Sequence, residues 1–298
     1  MHPLDAGAIE AAASLIAQGL CVAVPTETVY GLAADATNAM AVAGIYAAKG
    51  RPGFNPLIVH VPDLEAAQTI AVFNEKAREL AARYWPGPLT LVLPLRPDSA
   101  IASLATAGLP TIAVRAPAHP AMQALLKACG RPLAAPSANA SGRISPTSAA
   151  HVLKSLGGRI PMVIDAGPTS HGLESTIVGV DERGALRLLR PGPIDLGLAA
   201  SDGGAIEAPG QLASHYAPTK PLRLNATSAG SDEWLIGFGS VRGDASLSIA
   251  SNLVEAAARL FSALHEAEAS DRAKIAVAPI PSAGLGIAIN DRLKRAAA

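Results

Sequence analysis

Short apolar runs and capped helical stretches alternate along most of this chain, and no other feature narrows the choice of fold as far. "LCVAVPT", "PLIVHVP", "LTLVLPL", "TIAVRAP", "RPLAAP", "PMVID", "STIVGV" and "ALRLLRP" are too short for helices and are bounded by proline, glycine or polar residues, so each reads as a strand. Between them lie helices with recognisable ends. Asp5 is placed to cap one that stops at Gly19, Asn38 caps "AMAVAGIYAAK" up to Gly50, and Glu75 sits in the first turn of "NEKARELAARYW". Pro120 opens "PAMQALLKACG" and Gly130 closes it, and a further helix is expected from Thr147 to Leu156. Strands alternating with helices of this length predict an α/β fold whose sheet is covered on both sides. The late strands are set too close together for helical crossovers, so a mixed sheet is expected rather than a purely parallel one.

From about Leu196 to Asp232 the alternation dissolves into Gly, Ala, Ser, Pro and Asp, interrupted by "SHYAP" at Ser214–Pro218. Beyond it, "WLIGF", a helix from Asn252 to Glu268, "KIAVAP" and a final helix to Ala297 predict a small second α/β unit. The expected organisation is therefore a domain over 1–195, a linker over 196–232 and a small domain over 233–298. Only 3% of the residues are aromatic although 50% are apolar, so Ala, Val, Leu and Ile must fill both cores.

Charge excludes several classes of partner. Lys plus Arg and Asp plus Glu each total 24, and the balance is local: 15 against 14 in residues 1–199, and 9 against 10 afterwards. A nucleic-acid binder would carry a strong positive bias. Two distant cysteines, Cys21 and Cys129, make neither a zinc site nor a disulfide framework, and both are expected to be buried reduced thiols. The first residues lack a basic flank, so no signal peptide is expected, and no apolar run reaches the ~20 residues of a membrane span. A cytoplasmic location follows as an expectation.

Polar residues then stand where a core would not want them, at strand ends and helix starts, which is where open α/β sheets bind ligands. They occur in "PTETVYG" (Pro25–Gly31), "KGRPGFNPLIVH", the end of "TIAVRAP", "PSANASGRISPT" (Pro136–Thr147), and "LEST" with "LLRPG". Lys49 and Arg51 end a helix beside a stiff Pro-Gly loop, and two neighbouring cations need an anion between them. Arg115 suits a carboxylate or phosphate, and Ser137, Asn139, Ser141, Arg143 and Ser145 surround a helix start as an anion nest would. With Arg190, these cations amount to a polyphosphate-sized set. No Walker loop, G-x-S-x-G elbow or His-x-x-x-His pair occurs, and "GFGSVRG" at Gly237 reads as a turn.

Six stretches, "PTETVYGLAADA", "KGRPGFNPLIVHV", "WPGPLTLVL", "PSANASGRISPT", "STIVGV" and "LLRPGPI", follow in order and spacing the pattern of the YrdC-like threonylcarbamoyl-AMP synthases, and the resemblance covers roughly residues 8–195. "HYAP" and the C-terminal unit resemble the longer, two-domain branch of that family. The resemblance implies a YrdC-like twisted mixed sheet with a concave, positively lined cavity, joined to a Rossmann-like appendage. It also implies a reaction in which L-threonine, bicarbonate and ATP give threonylcarbamoyl-AMP and pyrophosphate. Downstream tRNA threonylcarbamoyl-transferase proteins would then use the product, with room for a weak direct tRNA contact.

Residue by residue, the resemblance makes Lys49 and Arg51, with Ser137 and Asn139, a "K-x-R … S-x-N" set around the phosphates, the first two being catalytic. Asn55, Thr111, Ser145 and Arg190 look like further ATP contacts, and His215 and Tyr216 like a segment folding over the nucleotide. Thr28, His60, Arg115, the backbone at Ala135, and Ser175 look like the threonine pocket. Magnesium is expected on the phosphates of ATP, held mainly by ATP oxygens and water. The alternatives are an RNA-binding module, or another carbamoyl-transfer protein of the same fold such as the hydrogenase-maturation proteins. The flat charge balance opposes the first, and the two cysteines are too few for the zinc-finger parts of the second.

Overall fold

Helix boundaries fall where short polar side chains stand ready to accept free N–H groups. Asp5 accepts from the N–H of Ala8 at 2.7 Å, Asn38 from those of Met40 and Ala41, Asn74 from Ala77, and Ser148 from His151. Gly50 and Gly130 end their helices in the left-handed region, with φ of 59° and 61°.

The computed structural model describes residues 1–199, 207–211 and 214–298. Its first unit runs β1 (His2–Pro3), α1 (Ala6–Ala17), β2 (Val22–Pro25), β3 (Tyr30–Asp35), α2 (Ala39–Lys49), β4 (Ile58–His60), α3 (Leu64–Gln68), α4 (Glu75–Tyr84), β5 (Leu89–Pro94), β6 (Thr111–Arg115), α5 (Pro120–Cys129), β7 (Leu133–Ala134), α6 (Ala149–Leu156), β8 (Met162–Asp165), β9 (Thr176–Val180) and β10 (Leu186–Arg190). The second unit runs β11 (Leu222–Arg223), β12 (Glu233–Gly237), β13 (Ala245–Ser246), α7 (Leu253–Ala269), β14 (Lys274–Val277) and α8 (Leu285–Ala296). No helix among the described residues is long and apolar enough to cross a membrane.

Ten strands form one mixed sheet in the order β1-β8-β2-β3-β7-β4-β6-β5-β9-β10. The pairs β2/β3, β5/β6 and β9/β10 are antiparallel, whereas β2/β8, β4/β6 and β5/β9 are parallel. One face packs against α2, α4 and α6 through Ile45, Leu80 and Val152. The other packs against α1 and α5 through Ile9, Ile16, Met122 and Leu125. β3 escapes the sequence pattern because Tyr-Gly-Leu-Ala-Ala-Asp carries no β-branched residue, yet all six positions are buried. Its small residues let the next segment come close: a Cβ on Gly31 would stand 3.3 Å from that of Ala135. Cys21 is buried as expected, but Cys129, at the end of α5, is only half covered.

The second unit is a parallel four-stranded sheet in the order β11-β14-β12-β13. It begins upstream of residue 233, because Leu222 and Arg223 pair with Ile275 and Ala276. Two residues are too few to show a period, so this strand was hidden within the apparent linker.

The two units share a core. Val29, Ile144, Leu173 and Tyr216 belong to the same apolar cluster as Phe238, Leu260, Phe261 and Ile289 of the second unit. At Gly172 the contact is backbone against backbone: φ is 68°, and a Cβ there would meet Ala257 O and the Cα of Ala258 at 2.5 Å. Gly172→Ala therefore combines left-handed strain with a clash that neither main chain can relieve, and should destabilise by about 2–4 kcal/mol. Gly108→Ala, where φ is 75° but nothing lies within 4 Å, isolates the strain and should lose only about 1 kcal/mol. Urea unfolding midpoints of the two variants check the difference.

Candidate active site

Strand ends converge on one hollow. The turn between β2 and β3 brings Thr26, Thr28 and Val29; β4 ends at His60, β6 at Arg115 and β10 at Arg190. The loop after β7 supplies Ala135, Pro136 and Ser137, the residues before β9 supply Glu174 and Ser175, and Arg51 enters from the end of α2. Pro209, Gly210, His215 and Tyr216 of the connecting segment form the remaining wall and leave a cavity of about 50 Å³. Gly210 has room for no side chain, since a Cβ would lie 2.7 Å from Tyr216 Oη and 2.8 Å from Arg190 Cδ.

At one end Arg115 is anchored by three hydrogen bonds. It donates from Nη2 to Glu27 Oε1 at 2.5 Å, from Nη1 to Thr28 Oγ1 at 3.0 Å and from Nε to Gly87 O at 3.1 Å. Burial alone would raise the Glu27 carboxyl, but the adjacent guanidinium charge and its hydrogen bond outweigh that and hold it below 4.5. Thr26 builds the turn itself, donating to Val29 O at 2.7 Å and accepting from the N–H groups of Thr28 and Val29.

At the other end, among the described residues, no carboxylate forms an ion pair with Arg51 or Arg190, although Glu174 attracts Arg190 through space. Arg51 donates to Asn55 O at 3.2 Å and Pro56 O at 2.8 Å. Arg190 donates to Ser175 O at 3.1 and 2.9 Å, to Ser175 Oγ at 3.1 Å and to Pro209 O at 3.4 Å. Both side chains are buried, at 9% and 4% exposure, and burial lowers the Arg51 pKa to about 10. Buried charge without a counter-charge is costly, and an anion in the hollow would relieve it.

Of the residues singled out from sequence, Thr28, Arg51, His60, Arg115, Ala135, Ser137, Ser175, Arg190, His215 and Tyr216 line the hollow together. Lys49 does not. Its Nζ donates to the carbonyls of Ser137 at 2.6 Å and Asn139 at 2.5 Å, so it holds the Ser-Ala-Asn loop from behind. Burial pushes its ammonium well below the ordinary value, and Arg51 pushes in the same direction. Asn139 lies behind the wall, with Nδ2 bonded to Ala140 O and Arg143 O. Asn55 also stands behind it, offering its carbonyl to Arg51 and Tyr46. Ser145 donates to Glu174 Oε1 at 2.5 Å. Thr111 is not brought in at all: it starts β6, opposite Pro94, about 13 Å of strand from Arg115. Arg143 lies on the exposed side of its loop.

Sequence reasoning passed over Glu27 and Glu174, although both stand inside quoted stretches, because each was overshadowed by neighbouring hydroxyls. Arg292, which grips Glu174 from α8 at 2.7 Å, offered no signal. Among the described residues, Nδ1 of His60 and of His215 at the hollow, and Oδ1 of Asn139 and the side-chain amide of Asn55 behind its wall, have no hydrogen-bond partner. Such atoms mark a place that expects a polar ligand.

Histidines here are neutral at physiological pH. Burial pushes His60 and His215 down to about 3, and it does the same to His265 (about 3) and His151 (about 4), whose rings stack at 3.8 Å between α6 and α7. The unfolded chain takes up these protons near 6.5 whereas the folded chain refuses them, so stability is complete above that value and declines as pH falls towards 4. Glu27 and Glu174, both held below 4.5, add their loss only beneath that value. The melting temperature should thus fall steadily from pH 6.5 to 4.5; a flat profile there would contradict neutral buried imidazoles.

Comparison with known proteins agrees with this architecture. Residues 14–192 match the family described as telomere recombination, and residues 176–298 match the C-terminal domain of threonylcarbamoyl-AMP synthase. The threonylcarbamoyl-AMP synthase of Bacillus subtilis is 40% identical across 97% of this chain and 92% of its own length, and that of Pyrococcus abyssi is 38% identical across 97% and 93%. The crystal structure of P. abyssi Sua5 complexed with L-threonine superposes with a TM-score of 0.89 at 37% identity, covering 97% of this chain and 94% of that one. Escherichia coli YciO, at 20% identity and a TM-score of 0.55 over 63% of this chain and 90% of its own, shares the fold alone. With a YrdC-like sheet, a matching C-terminal unit and relatives aligned along nearly its whole length, the chain belongs to the threonylcarbamoyl-AMP synthase family.

Proposed function

We propose that this chain makes L-threonylcarbamoyl-AMP and pyrophosphate from L-threonine, bicarbonate and ATP, for later transfer of the threonylcarbamoyl group to tRNA by other proteins. The observation that carries the reading is the pair of buried guanidiniums, Arg51 and Arg190, which face one hollow and have no ion-paired carboxylate among the described residues. A triphosphate supplies the missing charge. On this reading Ser137 lies beside the phosphates with the two arginines, and Lys49 acts by fixing the loop carbonyls rather than by touching ATP. Threonine occupies the end formed by Thr28, His60, Arg115, Ala135 and Ser175.

The chemistry asks mainly for placement. The threonine amine adds to carbon dioxide derived from bicarbonate and loses a proton, giving a carbamate. A carbamate oxygen attacks the α-phosphorus of ATP, and the bond to pyrophosphate breaks. Holding both reactants in one water-poor hollow and neutralising the departing phosphates supplies most of the acceleration. His60 and His215, kept neutral by burial, offer hydrogen bonds without adding charge. On this reading Pro209–Gly210 and His215–Tyr216, which wall the hollow, lie over the bound nucleotide.

The protein does not fit a resident metal. No group of three or more candidate ligands exists among the described residues, and the two carboxylates at the hollow are tied to Arg115 and Arg292. Magnesium enters with ATP, as part of the substrate.

Purified protein should release pyrophosphate from ATP only when threonine and bicarbonate are both present; no release under any divalent ion overturns the assignment. Arg51→Met should lower turnover by about 100-fold or more, leave the ligand-free melting temperature unchanged or raised because an unpaired buried charge is removed, and abolish the stabilisation that ATP confers. Retained activity would mean that the phosphates lie elsewhere.

A further inference from the structure

Arg292 is fully buried, although it belongs to the last helix of the second unit. Its Nε donates to Glu174 Oε2 at 2.7 Å, Nη2 donates to Pro191 O at 3.0 Å, and Nη1 donates to Asp291 at 2.6 Å. The guanidinium carbon stands 5.1 Å from the centre of the Tyr216 ring. One side chain thus touches Glu174 and Tyr216, which line the hollow, and Pro191, the residue after the lining Arg190.

Glu174 lines the same hollow as Arg51 and Arg190. An acid so close to two phosphate-facing cations would repel a triphosphate and would offer those cations an internal partner. Arg292 limits both by claiming one carboxylate oxygen, while Ser145 Oγ occupies the other at 2.5 Å, which leaves Glu174 only a through-space attraction to Arg190. We propose that Arg292 is a positioning residue for the nucleotide: it neutralises Glu174, keeps Arg51 and Arg190 free for the phosphates, and seats Tyr216 over them. The second unit thereby contributes to the active site without touching substrate. This inference rests on the synthase reading above.

A mere tie between units would affect both substrates alike, or only stability. A charge-neutralising role acts on ATP and can be reversed by removing the charge it neutralises. The experiment compares wild type, Arg292→Met, Glu174→Gln and the double variant in the full chain, by pyrophosphate release and by ATP-induced thermal shift. Arg292→Met should raise KM for ATP about tenfold or more, with KM for threonine within about twofold of wild type. Glu174→Gln added to it should restore most of the ATP affinity. An unchanged KM for ATP in Arg292→Met, or a double variant as impaired as the single one, overturns the proposal. If Arg292→Met does not fold, Arg292→Lys, which keeps the charge but loses the bond to Pro191 and the flat face against Tyr216, should show a smaller rise in KM for ATP; kinetics identical to wild type would overturn it. Failure of the wild type to release threonine-dependent pyrophosphate sinks the synthase reading instead, and the ATP-induced shifts of the variants still decide the role of Arg292.

Discussion

Two buried guanidiniums held by neutral oxygens rather than by an ion pair among the described residues set the terms for the rest of this molecule. Arg51 leans on the carbonyls of Asn55 and Pro56, and Arg190 on Ser175 and Pro209. Neither arrangement discharges the cation, so the surrounding fold must hold them in place against their mutual repulsion and their desolvation. The acids nearby are committed elsewhere: Glu27 to Arg115 and Glu174 to Arg292. The net result is a hollow whose anionic complement has been left for a ligand to supply.

Small residues in the sheet favour this placement. Ala23, Ala33, Ala34, Ala134 and Ala113 take positions where larger residues would spread the layers, and Gly31 approaches Ala135 closely. With so few aromatics, backbones come near one another, and loops leaving β2, β4, β6, β7 and β10 meet over a short span. Rigid strands then define where each loop starts, which is what placement-driven catalysis requires.

Much of this was legible beforehand. Helix ends were written in Asp5, Asn38, Gly50 and Gly130, and the β-branched runs marked most strands. Arg51, Arg115 and Arg190 were suspicious because charge stood at the ends of elements, and all three line the hollow. Lys49 was equally conspicuous, yet sequence cannot tell a side chain that faces a ligand from one that braces the loop behind it. Thr111 came from the resemblance alone, and it stands at the start of β6, apart from the residues that line the hollow. β3 and β11 were lost for opposite reasons, one for lack of β-branched residues and the other for lack of length. Arg292 stayed hidden because its meaning depends on a partner more than a hundred positions away in the chain.

Val29, Ile144 and Leu173 lie in the first unit by chain order but in the second unit's core by packing. Such a seam makes the two halves melt together, since parting them would wet apolar surface on both sides. A chain of this fold that lacked the second half would need polar side chains at those three places, or it would carry a sticky patch beside its own reaction chamber.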